Sequence, residues 1–446
     1  EAAKIGKKSG FGNDNRRNAD YFNNFLFCFP FAILGFLLKF IKKTMRKIAL
    51  ATFVFIFSVE VFSQEPTRWR GPDANGIYPD RGLLTEWPEN GPELLWKFEQ
   101  MGEGFSSPAI SGGYIYIPTM IDKTGYMFKL TMDGELVWRV EYGEEFHESY
   151  PGSRATATLV DDRLYFLSGR GKLLCMSTED GSVIWTKHLV NDLNGVLNRY
   201  GFNETVVVEG DKIYCTPGGE TQSVVALNRF TGEMVWAAEG KGDKAAYCTP
   251  LMLDFPSRKL LVTHTESYIL GIDRQDGTLL WTHYWPNRRL EHQNTPLFVN
   301  GDLFCFSGYG KGAVMLSMNE DGSSVREKWV SETFDNRMGG AVLIDGYIYG
   351  CGHHNRSWQC LEWETGRQMY ESTELTMGVV IAADGLIYCY DERGELALVE
   401  PNHNEFKIIS RTSITEGTGQ QWAHPVIHEG VLYISRGSTL MAFQIK

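Results

Sequence analysis

The chain has no Cys-x-x-Cys and no adjacent cysteines, and seven of its eight cysteines fall after residue 63. The odd number and irregular spacing give no disulfide framework. Most sit inside apolar runs such as Leu174-Cys175-Met176, Tyr214-Cys215, Phe304-Cys305-Phe306 and Tyr388-Cys389-Tyr390. They read as small buried apolar side chains. There is no Gly-x-Ser-x-Gly nucleophile motif. Gly308-Tyr309-Gly310-Lys311-Gly312 lacks the Ser/Thr and following helix of a phosphate-cradling loop, and reads as a turn. Basic clusters with interleaved aromatics are also missing. Residues 1–63 hold ten Lys/Arg and four Asp/Glu, which leaves 33 against 51, a balance of −18, for the rest. An acidic body of this kind argues against nucleic acid and anionic membrane surfaces as partners.

Glycine, at 47 residues, and aromatics, at 13%, are abundant and favour short strands and tight turns. Ala226-Leu227-Asn228-Arg229-Phe230-Thr231-Gly232-Glu233-Met234-Val235-Trp236 reads as strand, turn and strand ending in a large aromatic. The four-residue step from turn glycine to tryptophan recurs at Gly134–Trp138, Gly181–Trp185 and Gly277–Trp281, and with tyrosine at Gly366–Tyr370. Glycine suits the positive φ of the turn. A lone hairpin cannot bury an indole, so each must dock on a neighbour. A second signal, a turn followed by an apolar-aromatic strand, occurs eight times, from Gly113-Tyr114-Ile115-Tyr116 to Gly430-Val431-Leu432-Tyr433. Four strands per unit predict an all-β, eight-bladed β-propeller of four-stranded antiparallel blades. Leu94-Leu95-Trp96-Lys97-Phe98 precedes any complete unit, and the last unit stops at Thr439–Phe443. The N-terminal strand is therefore expected to close the last blade and cover its edge. Trp96, Trp138, Trp185, Trp236, Trp281 and Trp329 are the expected docking residues. Trp329 is read as displaced by an insertion after Gly322, and Ile408-Ile409 as standing where another tryptophan belongs.

Residues 1–44 read as translated upstream sequence. Residues 45–63, with Met45-Arg46-Lys47 before the apolar Ile48–Phe57, read as a signal peptide cleaved before Gln64. The competing reading takes Phe25–Ile41 as a short membrane span carrying Pro30 and Lys39. No cysteine stands directly after the apolar segment, within residues 58–64, so no stable membrane anchor is expected after cleavage, and a periplasmic or secreted location is expected. Residues 64–93 form an arm in which Pro and Gly spacing rules out regular structure, with Trp69 and Trp87 packing on the body. Residues 94–446 form the propeller.

The pattern Ala-x-Asn-x-x-Thr-Gly-x-x-x-Trp at 226–236 resembles the tryptophan-docking motif of the quinoprotein-like propellers, whose repeats are named for pyrroloquinoline quinone (PQQ). The resemblance covers about residues 68–446, including Trp69-Arg70-Gly71-Pro72 of the arm. That family holds PQQ-dependent dehydrogenases and also non-enzymatic scaffolds similar to the periplasmic propeller lipoprotein of outer-membrane assembly.

In such a fold, the segments leading into the innermost strands, and the loops between second and third strands, line one mouth of the channel. Here Arg154, Glu204, Asn294, Arg337, Trp422 and His424 are the expected ligand-binding residues. The expected ligand is an extended protein segment or a small polar molecule, held without catalysis and without a cofactor. The resemblance also implies an alternative, a PQQ- and Ca²⁺-dependent alcohol or sugar dehydrogenase, with Glu204 and Asn294 as Ca²⁺ ligands, Asp335 as base and Arg337 as the contact to the quinone. Oxygen ligands suit Ca²⁺. The missing cysteine pair and the short blade loops weigh against that alternative. His353-His354 does not read as a metal site, because neighbours on an extended segment face opposite ways.

Overall fold

The computed structural model describes residues 65–446. The expected leader and the competing span at Phe25–Ile41 lie outside the described residues. Eight sheets are present, and each of seven successive chain segments builds one. Blade one spans Ala109–Glu144, blade two Thr158–His188, blade three Val207–Ala238 and blade four Leu251–Tyr284. Blades five to seven span Leu297–Ser331, Ala341–Ser372 and Gly378–Ser413. Blade eight takes three strands from Val426–Gln444 and its outermost strand, Glu93–Phe98, from the other end of the described chain. Trp96 lies opposite Ala442 in that antiparallel ladder, so the two ends close one sheet as expected.

Alternation within each strand sends apolar side chains to both faces, because every blade is covered on both sides. One buried apolar cluster fills each of the eight junctions between consecutive blades. The seven described cysteines are free and buried in this core.

Every outermost strand carries a bulge at the residue before the docking position, for example Val235 between Met234 and Trp236. The extra residue kinks the edge strand and aims the following side chain at the next blade. Each indole then donates its N–H to a turn carbonyl there: Trp96 to Met132, Trp138 to Glu179, Trp185 to Arg229, Trp236 to Arg274, Trp281 to Gly322 and Trp329 to Trp363, at 2.9–3.1 Å. The turn glycine serves two ends. Gly277 has φ +81°, and a Cβ there would lie 2.7 Å from the Trp236 ring.

Three expectations are corrected. Trp329 is not displaced; it pairs with Met315 at the same bulge register as the others, because the extra residues lengthen the hairpin by the pairs Ser317–Arg326 and Met318–Val325. In blade seven the docking position is Ser410, opposite Leu398 beside the bulge, and not Ile408-Ile409. The arm is not devoid of regular structure. Ile77–Tyr78 pairs in parallel with Ala382–Ala383 and adds a fifth strand inside blade seven.

Candidate functional site

The arm enters the channel before it reaches blade seven. Thr67 pairs with Leu159 of the blade-two inner strand through N–H to O (2.9 Å) and Oγ1 (2.8 Å) contacts. The buried Arg70 guanidinium then ties three blades together. It donates to the carbonyls of Ala341 (2.7 Å) and Val380 (3.2 Å) and to Nδ1 of His424 (2.8 Å). Nδ1 accepts, so the His424 ring is neutral and donates from Nε2 to the carbonyl of Met338 at 3.1 Å. Burial, reinforced by Arg70, holds His424 well below the usual histidine range.

Above this plug lies a cavity of about 390 Å³. Trp69 of the arm, with Thr205 and Thr249, lines both the cavity and a smaller recess behind it, so the arm forms the cavity floor. The walls come from the lead-in segments of blades one to six and eight, and from the second-to-third-strand loops of blades five and six through Tyr309 and His353.

Aromatic rings make a collar. Trp422 meets Phe105 and Tyr150, each with centroids 5.0 Å away; Tyr150 is followed by Tyr200 at 6.2 Å, and Tyr200 by Tyr247 at 6.4 Å. Tyr309 and His353 continue it at 5.4 Å. Three of the collar tyrosines have positive φ: Tyr150 (+50°), Tyr247 (+75°) and Tyr309 (+64°). These are the only aromatic residues in that region among the described residues. Bulky side chains there are strained, and such strain gathers at binding sites.

Charge in the collar is mostly positive. Arg154 donates through Nη2 to the carbonyls of Ser149 and Tyr150, both at 2.6 Å, and its Nη1 is buried without a partner. The Arg337 guanidinium sits 5.2 Å over the Trp422 ring and 3.4 Å from Glu392, with Nε buried and unpartnered. Trp422 donates its indole N–H to the same Glu392 oxygen at 2.7 Å. Glu291 is the one carboxylate among the lining residues, and it is occupied by Tyr309 Oη at 2.6 Å and Gln293 at 3.3 Å. Burial, then Arg337, lowers His353 to about 4, so it stays neutral with an unpartnered Nδ1.

Of the six expected ligand-binding residues, Arg154, Arg337, Trp422 and His424 line the cavity, with His424 spent on Arg70. Glu204 and Asn294 do not line it. Their neighbours Asn203, Thr205 and Gln293 face inward instead. Glu204 is buried and accepts from the Thr216 backbone N–H at 2.5 Å; burial raises it to about 7. The Asn294 amide bridges Asn336, Arg337 and Gly340 backbone. The Asp335 oxygens accept from the backbone N–H groups of Gly310 (2.7 Å) and His354 (3.1 Å). These three side chains are committed to backbone partners and do not line the cavity, so they do not fit the calcium site that the resemblance implies. His353 lines the cavity without His354, and no group of three or more His, Cys, Asp or Glu placed to hold a metal occurs among the described residues. Trp69, Phe105 and Tyr247 were not expected in the site. No residue pattern marks them, because the arm's path and the backbone at Tyr247 are set by tertiary packing.

The ring of docked repeats and the arm-floored mouth define the class: an eight-bladed propeller of the PQQ-repeat type. Residues 123–368, more than half of the chain, match the family described as Outer membrane protein assembly factor BamB, and the chain belongs to that family. It is 21% identical to the Outer membrane protein assembly factor BamB of Yersinia pestis over 67% of this chain and 75% of that one. It is 27% identical to the Quinoprotein ethanol dehydrogenase of Pseudomonas aeruginosa, but over only 32% of this chain and 22% of that enzyme's length. The crystal structure of BamB from Moraxella catarrhalis superposes with a TM-score of 0.58 at 16% identity, covering 79% of this chain and all of that one. That likeness speaks for the fold.

Proposed function

We propose that this chain is an exported, non-catalytic propeller that holds an extended protein segment or a small polar ligand at the channel mouth. One observation carries the reading: the three aromatic residues with positive φ all line one cavity. Backbone strain of order 1 kcal/mol or more at each needs a compensating role, and ligand contact supplies one. Family membership supports the scaffold class, since the named relatives in that family are assembly factors. Export rests on the leader at residues 45–63 and is tested by N-terminal sequencing of the exported form. A start at Gln64 is expected, and a mature chain retaining residues 25–41 would contradict it.

The dehydrogenase reading draws on the local likeness to the ethanol dehydrogenase. A titration with PQQ and Ca²⁺, followed by visible absorbance and dye reduction with ethanol or glucose, separates the two. The scaffold reading expects no turnover. Saturable binding with turnover, lost in Glu204→Ala, would replace it with the enzyme.

A further inference from the structure

We propose that the mouth cavity recognises an organic carboxylate through Arg154 and Arg337, without a metal ion. This rests on the binding-site reading above and names the chemistry of its ligand. The body of the protein is strongly acidic, yet the cavity is lined by Arg154, Arg289 and Arg337 against the single carboxylate of Glu291. Glu291 is already hydrogen-bonded twice, and Arg337 shares its charge with Glu392 at 3.4 Å, while no ion pair holds Arg154 or Arg289 among the described residues. Arg154 Nη1 and Arg337 Nε are buried nitrogens without a hydrogen-bond partner. A buried guanidinium N–H left unsatisfied is costly, and an anionic oxygen is the acceptor that satisfies it best.

Arg337 stacks on Trp422, while Arg154 stacks 4.6 Å over Phe146 and reaches the collar through the Tyr150 backbone. Arg154 holds the Tyr150 carbonyl at 2.6 Å, Arg337 lies 5.2 Å over Trp422, and the Tyr150 and Trp422 rings meet at 5.0 Å. Both arginines line the one cavity, so a carboxylate held by either would set the body of its ligand near those rings. A cavity of about 390 Å³ suits a small acid or one terminal residue of a chain. The carboxylates that would hold a cation, Glu204 and Asp335, are committed to backbone hydrogen bonds and do not line the cavity. The arginines therefore supply the positive charge themselves.

The test uses the full chain and four probes: indole-3-acetate, its amide, and a short peptide ending in phenylalanine with a free or an amidated carboxyl terminus. Binding is read by tryptophan fluorescence and calorimetry in EDTA and again in Ca²⁺. The acids should bind in EDTA, and each amide about tenfold or more weaker. Arg337→Gln should weaken the acids by a similar factor and leave the amides unchanged. If Arg154→Gln fails to fold, the acid–amide comparison and Arg337→Gln carry the result alone. A tighter free acid marks a small-molecule ligand; a tighter peptide marks a chain terminus. Equal binding of acids and amides, both weakened by Trp422→Ala, would overturn the carboxylate inference and leave the binding site standing. Binding that requires Ca²⁺ would overturn it too. No binding by any probe at about 1 mM would sink this inference and the reading beneath it.

Discussion

The backbone N–H of Trp87, in the arm, donates to Oγ of Ser410 at 2.7 Å, and its indole N–H donates to the carbonyl of Leu396 at 3.2 Å. Ser410 occupies the blade-seven position where six other blades carry a docking tryptophan. Trp87 is buried in the cluster between blades seven and eight and meets Tyr388 at 5.9 Å. The arm thus brings in from outside the repeat the indole that blade seven lacks. Trp87→Ala should cost about 3–5 kcal/mol, as for a large buried aromatic. Ser410→Trp alone should destabilise by crowding an occupied slot. Combined with Trp87→Ala it should recover part of the loss, because the in-strand indole then fills the slot. Urea unfolding midpoints of the three variants check this; a strictly additive double variant would show that the slots are separate.

Two glycines with the same φ of +81° separate turn strain from indole docking. A Cβ at Gly346 meets nothing within 4 Å, whereas one at Gly277 meets the Trp236 ring at 2.7 Å. Gly346→Ala should cost about 1–2 kcal/mol from left-handed backbone alone. Gly277→Ala should cost clearly more, with Trp236 fluorescence shifted as the ring is displaced. Equal losses in thermal unfolding would mean that the close approach of ring to turn contributes little.

Glu204 should leave a pH signature. Burial raises its folded value to about 7 from an ordinary 4.5. The folded state therefore holds the proton more tightly. Stability from the neutral acid is complete below about 4.5 and is lost as pH rises through about 7, at roughly 1.4 kcal/mol per pH unit. Glu204→Gln keeps an acceptor for the Thr216 N–H. It should match the wild type near pH 4.5 and exceed it by up to about 3 kcal/mol at pH 8, measured by denaturant unfolding at each pH. A difference that does not change with pH would show that this carboxyl is not titrating in the folded state.

The ring was legible because each repeat leaves an indole it cannot bury, and because Trp96 precedes a full unit while Thr439–Phe443 lacks a fourth strand. The docking position in blade seven was not. A single bulge moves it from Ile409 to Ser410, and bulges do not show in composition. Four of the six expected site residues reached the cavity because polar lead-in segments mark the mouth. Glu204 and Asn294 did not, since these irregular segments have no fixed alternation and packing decides which neighbour turns inward. Arg70 was marked only as part of the arm's Trp-Arg-Gly-Pro; its tie across three blades was not legible, since those partners lie 271 to 354 residues away.

On the proposed binding role, the collar tyrosines are strained for the sake of a ligand, and Tyr150→Asn separates that role from a purely structural one. Tyr150 is 46% exposed, so its removal forfeits little packing, and asparagine tolerates the φ of +50°. Paired titrations should show unchanged or higher unfolding stability, with indole-3-acetate affinity about tenfold lower. Lost stability with unaltered affinity would mean that Tyr150 serves the fold, and would contradict the account.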